Sequence, residues 1–97
     1  MAEGERVAGY YRLEVVAGLV GLPPGRIRAY ERAGLVQPTT VVGRQRLYGE
    51  AELARLRRLR RLATHLGLNA AGVEVVARLL DDIEQLRAEL AQLRSGQ

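Results

Sequence analysis

Ninety-seven residues carrying 15 Lys/Arg, 11 Asp/Glu and one His, net charge +4, suit one small basic domain with at most a short extension. The absence of Cys excludes a disulfide framework, a thiolate metal site and a Cys nucleophile, and a lone His65 gives little support to a metal site or a Ser-His-Asp triad. No run has the pattern of a signal peptide or a membrane span, which places the chain in the cytoplasm with no membrane partner.

With no Trp or Phe, the core must be built from Leu, Val, Ile and Ala, and small aliphatic cores are marginal enough to favour dimerisation. Every basic side chain is Arg, which pairs bidentately with phosphate and keeps its charge. Coding bias or a thermophilic host accounts for most of the missing Lys, so the basic balance alone does not establish a nucleic-acid partner.

Residues 1–9 lack any period and read as a flexible tail. Order begins at Tyr10 and Tyr11. Leu13, Val16, Ala17 and Val20 fall at i, i+3, i+4 and i+7, one helical stripe that Gly21 ends. The next stretch, Leu22 to Leu35, reads as a short basic helix. Pro23 and Pro24 open it, since Pro loses nothing in the first turn, and Gly34 closes it in a left-handed position. Ile27 and Tyr30 anchor its inner face; Arg26, Arg28 and Arg32 lie outside. Helix, tight turn and basic helix form a helix-turn-helix pattern whose second helix suits a DNA groove. A plain solvated surface helix would show the same local composition.

After Pro38, the β-branched run Thr39 to Val42, a turn at Gly43 and Arg44, and a return strand over Gln45 to Tyr48 predict a small β-hairpin wing that leans on the helices. Glu50 to Leu66 is the next helix, with a buried stripe of Leu53, Leu56, Leu59, Ala63 and Leu66 and with Leu62 at its edge. Gly67 stops it, His65 is a helix-end residue, and Asn69 caps a last helix from Ala70. There Val76, Leu79, Ile83, Leu86, Leu90 and Leu93 are spaced 3, 4, 3, 4, 3, an a/d heptad seam. With Val76 at a, Asp82 and Glu89 are at g, and Arg87 and Arg94 at e. These charges suit a parallel partner helix or a different helix of complementary charge. Intrahelical pairs, Arg78 with Asp82 and Glu84 with Arg87, are the local alternative.

The order of elements and the residues within them resemble the MerR family of bacterial regulators. The resemblance covers about residues 11–80: the Gly21-Leu22 turn, the segment Arg26 to Val36, Pro38, the wing residues Gly43, Arg46, Leu47 and Tyr48, and Leu53. Within the family, Leu66 to Val76 looks most like the heat-shock repressor (HspR) branch and the chaperone modulators (CbpM and DafA-like factors). The resemblance implies a mainly α fold. A winged helix-turn-helix domain would occupy residues 10–75, and a coiled-coil dimerisation or partner-binding helix residues 76–97. It also implies one of two functions. The first is a DNA-binding repressor of chaperone or heat-shock genes. It would contact promoter DNA through Arg26, Arg28, Tyr30, Arg32, Arg44, Arg46 and Tyr48, and self-associate through Val76, Leu79, Ile83, Leu86, Leu90 and Leu93. The second is a modulator that binds DnaJ or DnaK through the last helix and the acidic patch Asp81, Asp82 and Glu84, without a DNA role. Pro23 in place of the family's capping Ser, Arg26 in place of Thr and Ala29 in place of an aromatic favour the second reading; the retained Arg28, Arg44, Arg46 and Tyr48 favour the first. No cofactor, metal or catalytic constellation is expected. Asp81 and Asp82 are adjacent on a helix and cannot face one another, so the chain is not read as an enzyme.

Overall fold

The computed structural model describes residues 6–7 and 9–96, with side chains from Gly9 onward. Among the described residues, four strands and four helices follow in pairs: β1 (Arg6–Val7), β2 (Tyr10–Arg12), α1 (Leu13–Val20), α2 (Pro24–Arg32), β3 (Thr40–Val42), β4 (Gln45–Tyr48), α3 (Glu50–Thr64) and α4 (Ala70–Ser95). The mainly α winged helix-turn-helix architecture with its long C-terminal helix is the one expected.

The sheet is larger than the expected hairpin. It is antiparallel with strand order β1-β2-β4-β3. Arg6 and Val7, assigned from sequence to a loose tail, pair with Tyr11 and Tyr10. Residues 1–5 and 8 of that tail lie outside the described residues. β2 then pairs with the wing, Tyr11 opposite Tyr48 and Arg12 opposite Leu47, so the hairpin is held by a ladder as well as by the helices. Its two-residue turn has φ +62° at Gly43, a conformation costly for a residue with a Cβ.

Helix ends follow local chemistry. Pro23 is extended at the N-cap of α2 and Pro24 takes its first turn. Gly21 ends α1 at φ +74°, its N–H bonding the Ala17 carbonyl at 3.0 Å. The Asn69 side chain caps α4 by accepting from the Gly72 N–H at 2.8 Å. At α3 the Gly49 N–H donates to Thr39 Oγ1 (2.7 Å) and Glu52 Oε1 (3.2 Å), and the Thr39 hydroxyl donates to Glu52, which ties the wing's base to the helix start.

One core joins these elements. Val16 and Val20 from α1, Ile27 and Tyr30 from α2, Leu35 and Val36, Tyr48 from β4, Leu53, Leu56, Leu59 and Leu62 from α3, and Val73 and Ala77 from α4 are all buried. Leu62, read as an edge residue, belongs to the buried row. Leu66, read as its end, lies beyond the helix and is 63% exposed, because α3 stops at Thr64 and the chain turns away at Gly67. His65 is the C-cap, its N–H donating to the Arg61 carbonyl at 2.8 Å.

The last helix is continuous across the boundary expected between residues 75 and 76, and its first half packs on the domain. Arg55 of α3 grips Asp81 through both ends of its guanidinium (3.2 and 2.6 Å), and Arg58 pairs with Glu84 at 2.6 Å. Arg78 pairs with Glu74 at 3.0 Å, and among the described residues neither intrahelical pair weighed as the local alternative forms. Two of these arginines also reach the recognition segment. Arg78 donates to the Ala33 carbonyl at 2.6 Å and Arg55 Nε donates to the Leu35 carbonyl, occupying acceptors just past the end of α2.

Candidate nucleic-acid interface

Helix α2 divides cleanly into two sides. Ile27 is fully buried and Tyr30 is 3% exposed, while Arg26, Arg28 and Arg32 are all exposed. Among the described residues, none of these three arginines forms a hydrogen bond or ion pair, so their guanidinium groups are free for a ligand. A helix this short keeps that orientation only because Ile27 and Tyr30 lock it to the core.

The wing lies beside it. A surface cleft of about 320 Å³ is lined by Arg12, Leu13, Glu14, Arg28, Arg44, Gln45 and Arg46. A neighbouring concavity is lined by Arg28, Glu31, Arg32 and Arg46. The two share Arg28 and Arg46, which marks the junction of recognition helix and wing as the centre of the basic surface.

Arg12 was not among the residues singled out from sequence. The β2–β4 pairing brings it to the wing, and it stands at the N-cap of α1 with extended backbone (φ −76°, ψ 160°) and no side-chain cap. The first amides of α1 therefore gain no cap from Arg12, and uncapped amides at a helix start favour an anion. The available signal was an Arg directly before an apolar stripe, where a capping Ser, Thr, Asp or Asn is usual. Glu14 is the cleft's acidic member and lies in the same first turn.

Two expected contacts are corrected. Tyr48 is fully buried, and its hydroxyl donates to Glu31 of α2. Burial first, then the hydrogen bond and the charge of Glu31, hold this phenol well above its usual pKa. Tyr30 is also buried, and its hydroxyl has no protein partner. Neither reaches the surface: β4 does not alternate but buries both of its last residues, Leu47 and Tyr48, and the helical turn of α2 carries Tyr30 inward with Ile27. Tyr48 nevertheless shapes the interface. Glu31 accepts from it and lies 3.8 Å from Arg46, so one carboxylate on the recognition helix fastens the wing through a core Tyr and an exposed Arg.

On α4 the heptad residues divide as well. Val76 is half-buried against the domain core. Leu79, Ile83, Leu86, Leu90 and Leu93 are 43–68% exposed and form an open apolar row. The acidic patch is mostly engaged within the chain, Asp81 by Arg55 and Glu84 by Arg58. Arg55 holds the Asp81 carboxyl below the usual carboxylate range, and Asp81 in turn raises the Arg55 guanidinium. No helix among the described residues is long and apolar enough to cross a membrane.

Taken together, these elements define a winged helix-turn-helix protein with an arginine-bearing face. Residues 12–95 match the MerR HTH family regulatory proteins, and the chain belongs to that family. It is similar to a putative heat shock protein HspR of Streptomyces coelicolor, 36% identical over 86 residues, which cover 89% of this chain and 57% of that protein. It is also similar to the HTH-type transcriptional regulator GlnR of Bacillus anthracis, 34% identical over 76 residues, covering 78% of this chain and 58% of that protein. The chain thus spans less than two thirds of the curated relatives it matches. In fold it resembles the transcription regulator PbrR691 from Ralstonia metallidurans CH34, solved in complex with lead(II), with a TM-score of 0.59 at 23% identity over 87% of this chain and 77% of that one.

Proposed function

We propose that this chain is a DNA-binding transcription regulator that represses chaperone or heat-shock genes. The observation that carries the DNA assignment is the two-sided recognition helix. Its apolar residues are sunk in the core while Arg26, Arg28 and Arg32 stand exposed and unpaired among the described residues, Arg28 beside Arg12, Arg44 and Arg46, Arg32 beside Arg46, and Arg26 apart from both concavities. Helix α2 enters the major groove and Arg28, at the junction with the wing, reads base edges. Arg26 and Arg32 contact backbone or base edges alongside it. Arg12, Arg44 and Arg46 bind phosphate, fixing register and supplying the salt-sensitive part of the affinity. One such helix covers few base pairs, so the working species is a dimer joined through the open row of α4. The stress-response assignment rests on similarity to the HspR protein.

A modulator acting on DnaJ or DnaK without DNA is the competing reading. Engagement of Asp81 and Glu84 by α3 ties up two of the three acids such a partner would use and leaves it Asp82 and the apolar row.

Fluorescence anisotropy against fragments of the chain's own operon promoter, with random DNA as competitor across a salt series, tests the proposal. Binding that resists the competitor supports it. Weak attraction that vanishes near physiological salt, with no promoter preference, refutes it and turns attention to chaperone partners.

A further inference from the structure

The recognition helix is fastened at one end. At its N-terminal end Pro23 supplies no side-chain cap, no acid lies in the first turn, and a Cβ at Gly25 would meet nothing within 4 Å. The C-terminal end is held. The Gly34 N–H donates to the Glu31 carbonyl at 3.0 Å and the Leu35 N–H to the Tyr30 carbonyl at 2.9 Å, with Gly34 at φ +78°. Beyond that turn two guanidinium groups close on the chain, Arg78 on the Ala33 carbonyl at 2.6 Å and Arg55 on the Leu35 carbonyl. Each is itself aimed by an acid of α4, Arg78 by Glu74 at 3.0 Å and Arg55 by Asp81 at 3.2 and 2.6 Å. Two cations at a helix C-terminus also suit its dipole. Neither arginine lines the cleft or the concavity beside the wing.

We propose that Arg55 and Arg78 are positioning residues for sequence reading, which set the tilt of α2 and so where Arg26 and Arg28 meet the groove; this rests on the regulator reading above. Burial of Ile27 and Tyr30 decides which side of α2 faces inward, but apolar contact has no direction. Directional bonds fix the tilt, and besides the Glu31 clamp to the wing they lie just past the helix's C-terminal end. At about 1.5 Å per residue, Arg28 stands ~7.5 Å from Ala33 along the axis and Arg26 ~10 Å. A tilt of about 10° about the held end therefore carries the Arg28 backbone ~1.3 Å sideways and that of Arg26 ~1.8 Å. A recognition constellation tolerates about 0.5 Å, so loss of the tether degrades contact with base edges. Phosphate contact from Arg12, Arg44 and Arg46, which stand on the sheet and its turn, is kept.

The Arg78 side chain is 54% exposed, so it can be changed without opening the core. Arg78→Ala should weaken binding to a selected high-affinity duplex about tenfold and binding to a random duplex less than about twofold, read by anisotropy at one salt concentration. Arg78→Lys, which keeps a donor and the charge, should recover most of the loss. Glu74→Gln, which loosens the aim of Arg78, should show a smaller loss of the same kind. Equal weakening on both duplexes, with the log-salt slope reduced by about one, would make Arg78 a phosphate contact and overturn the inference. Full specificity in Arg78→Ala would overturn it too. Amide hydrogen exchange without DNA gives a second readout. The Gly34 and Leu35 amides should exchange about fivefold faster or more in Arg78→Ala, with those of Leu56 and Leu59 in α3 unchanged. Unchanged exchange at the end of α2 overturns the inference whatever the DNA result. Faster exchange in a protein whose wild type shows no duplex preference overturns the regulator reading, and the role in reading sequence with it.

Discussion

Removing one oxygen from each of two tyrosines separates core roles from DNA contact. In Tyr48→Phe the part-buried Glu31 carboxylate, whose side chain is 10% exposed, loses the hydroxyl that donates to it and keeps only Arg46 at 3.8 Å. A hydrogen bond to a charged group contributes ~1.5–3 kcal/mol, so a loss of about 2 kcal/mol is expected. For a domain of this size that corresponds to a fall in Tm of roughly 8–16 °C. Tyr30→Phe deletes a buried hydroxyl that has no protein partner, so its stability should change by less than about 0.5 kcal/mol or rise slightly. Urea unfolding at one fixed protein concentration reads both variants, with the m-value as a check that the denatured state is unchanged. Comparable stability for the two would refute the assignment of Glu31 and Tyr48 as the clamp between wing and recognition helix. A Tyr30→Phe variant of normal stability but markedly weaker DNA binding would refute the placement of Tyr30 in the core.

Arg44→Ala and Arg12→Ala should each weaken binding nearly equally across DNA sequences and each flatten the plot of log affinity against log salt by about one, measured by anisotropy. Asp81→Asn should cost about 1 kcal/mol in urea unfolding, because the pair with Arg55 is bidentate but partly solvated. The carboxyl of Asp81 is depressed in the folded state, chiefly by its hydrogen bonds from Arg55, so its contribution is complete above the ordinary Asp pKa and is lost as pH falls through the folded value. The wild-type advantage over Asp81→Asn should accordingly narrow on acidification and be flat near neutral pH. Gly21→Ala places a Cβ at φ +74°, 3.2 Å from Arg60 Nε, and should destabilise the domain by about 1–2 kcal/mol through α1's end alone.

Much of this architecture can be read from punctuation. Pro24, Gly21, Gly34, Gly67 and Asn69 each impose or relieve a backbone constraint within a few residues, and the helices begin or end at those positions. Strands β1 and β2 are too short to carry a period; β1 pairs only with β2, and β2 depends on β4, far along the chain, which is why the sequence does not show Arg12's place in the cleft. The helical spacing rightly turns Tyr30 inward; what fails is the DNA contact expected of amphipathic side chains. Tyr30 and Tyr48 each have a ring that gains from burial and a hydroxyl that suits phosphate, and only the packing around them decides. The ion pairs that α4 makes with the domain are not legible in the sequence, because helical spacing offers only local partners whereas Arg55 and Arg58 reach Asp81 and Glu84 from 26 residues away. The open row from Leu79 to Leu93, by contrast, was visible as a heptad pattern, and its exposure is what such a seam requires.

In the proposed function Arg28, at the junction of recognition helix and wing, reads sequence while its neighbours hold the backbone. Dissociation constants of the wild-type chain and Arg28→Ala, each measured on a selected high-affinity duplex and on a random duplex at one salt concentration, test it most directly. A loss of about 1–3 kcal/mol on the selected duplex, with little change on the random one, is the result this account predicts. Equal weakening on both duplexes, or on neither, would contradict it.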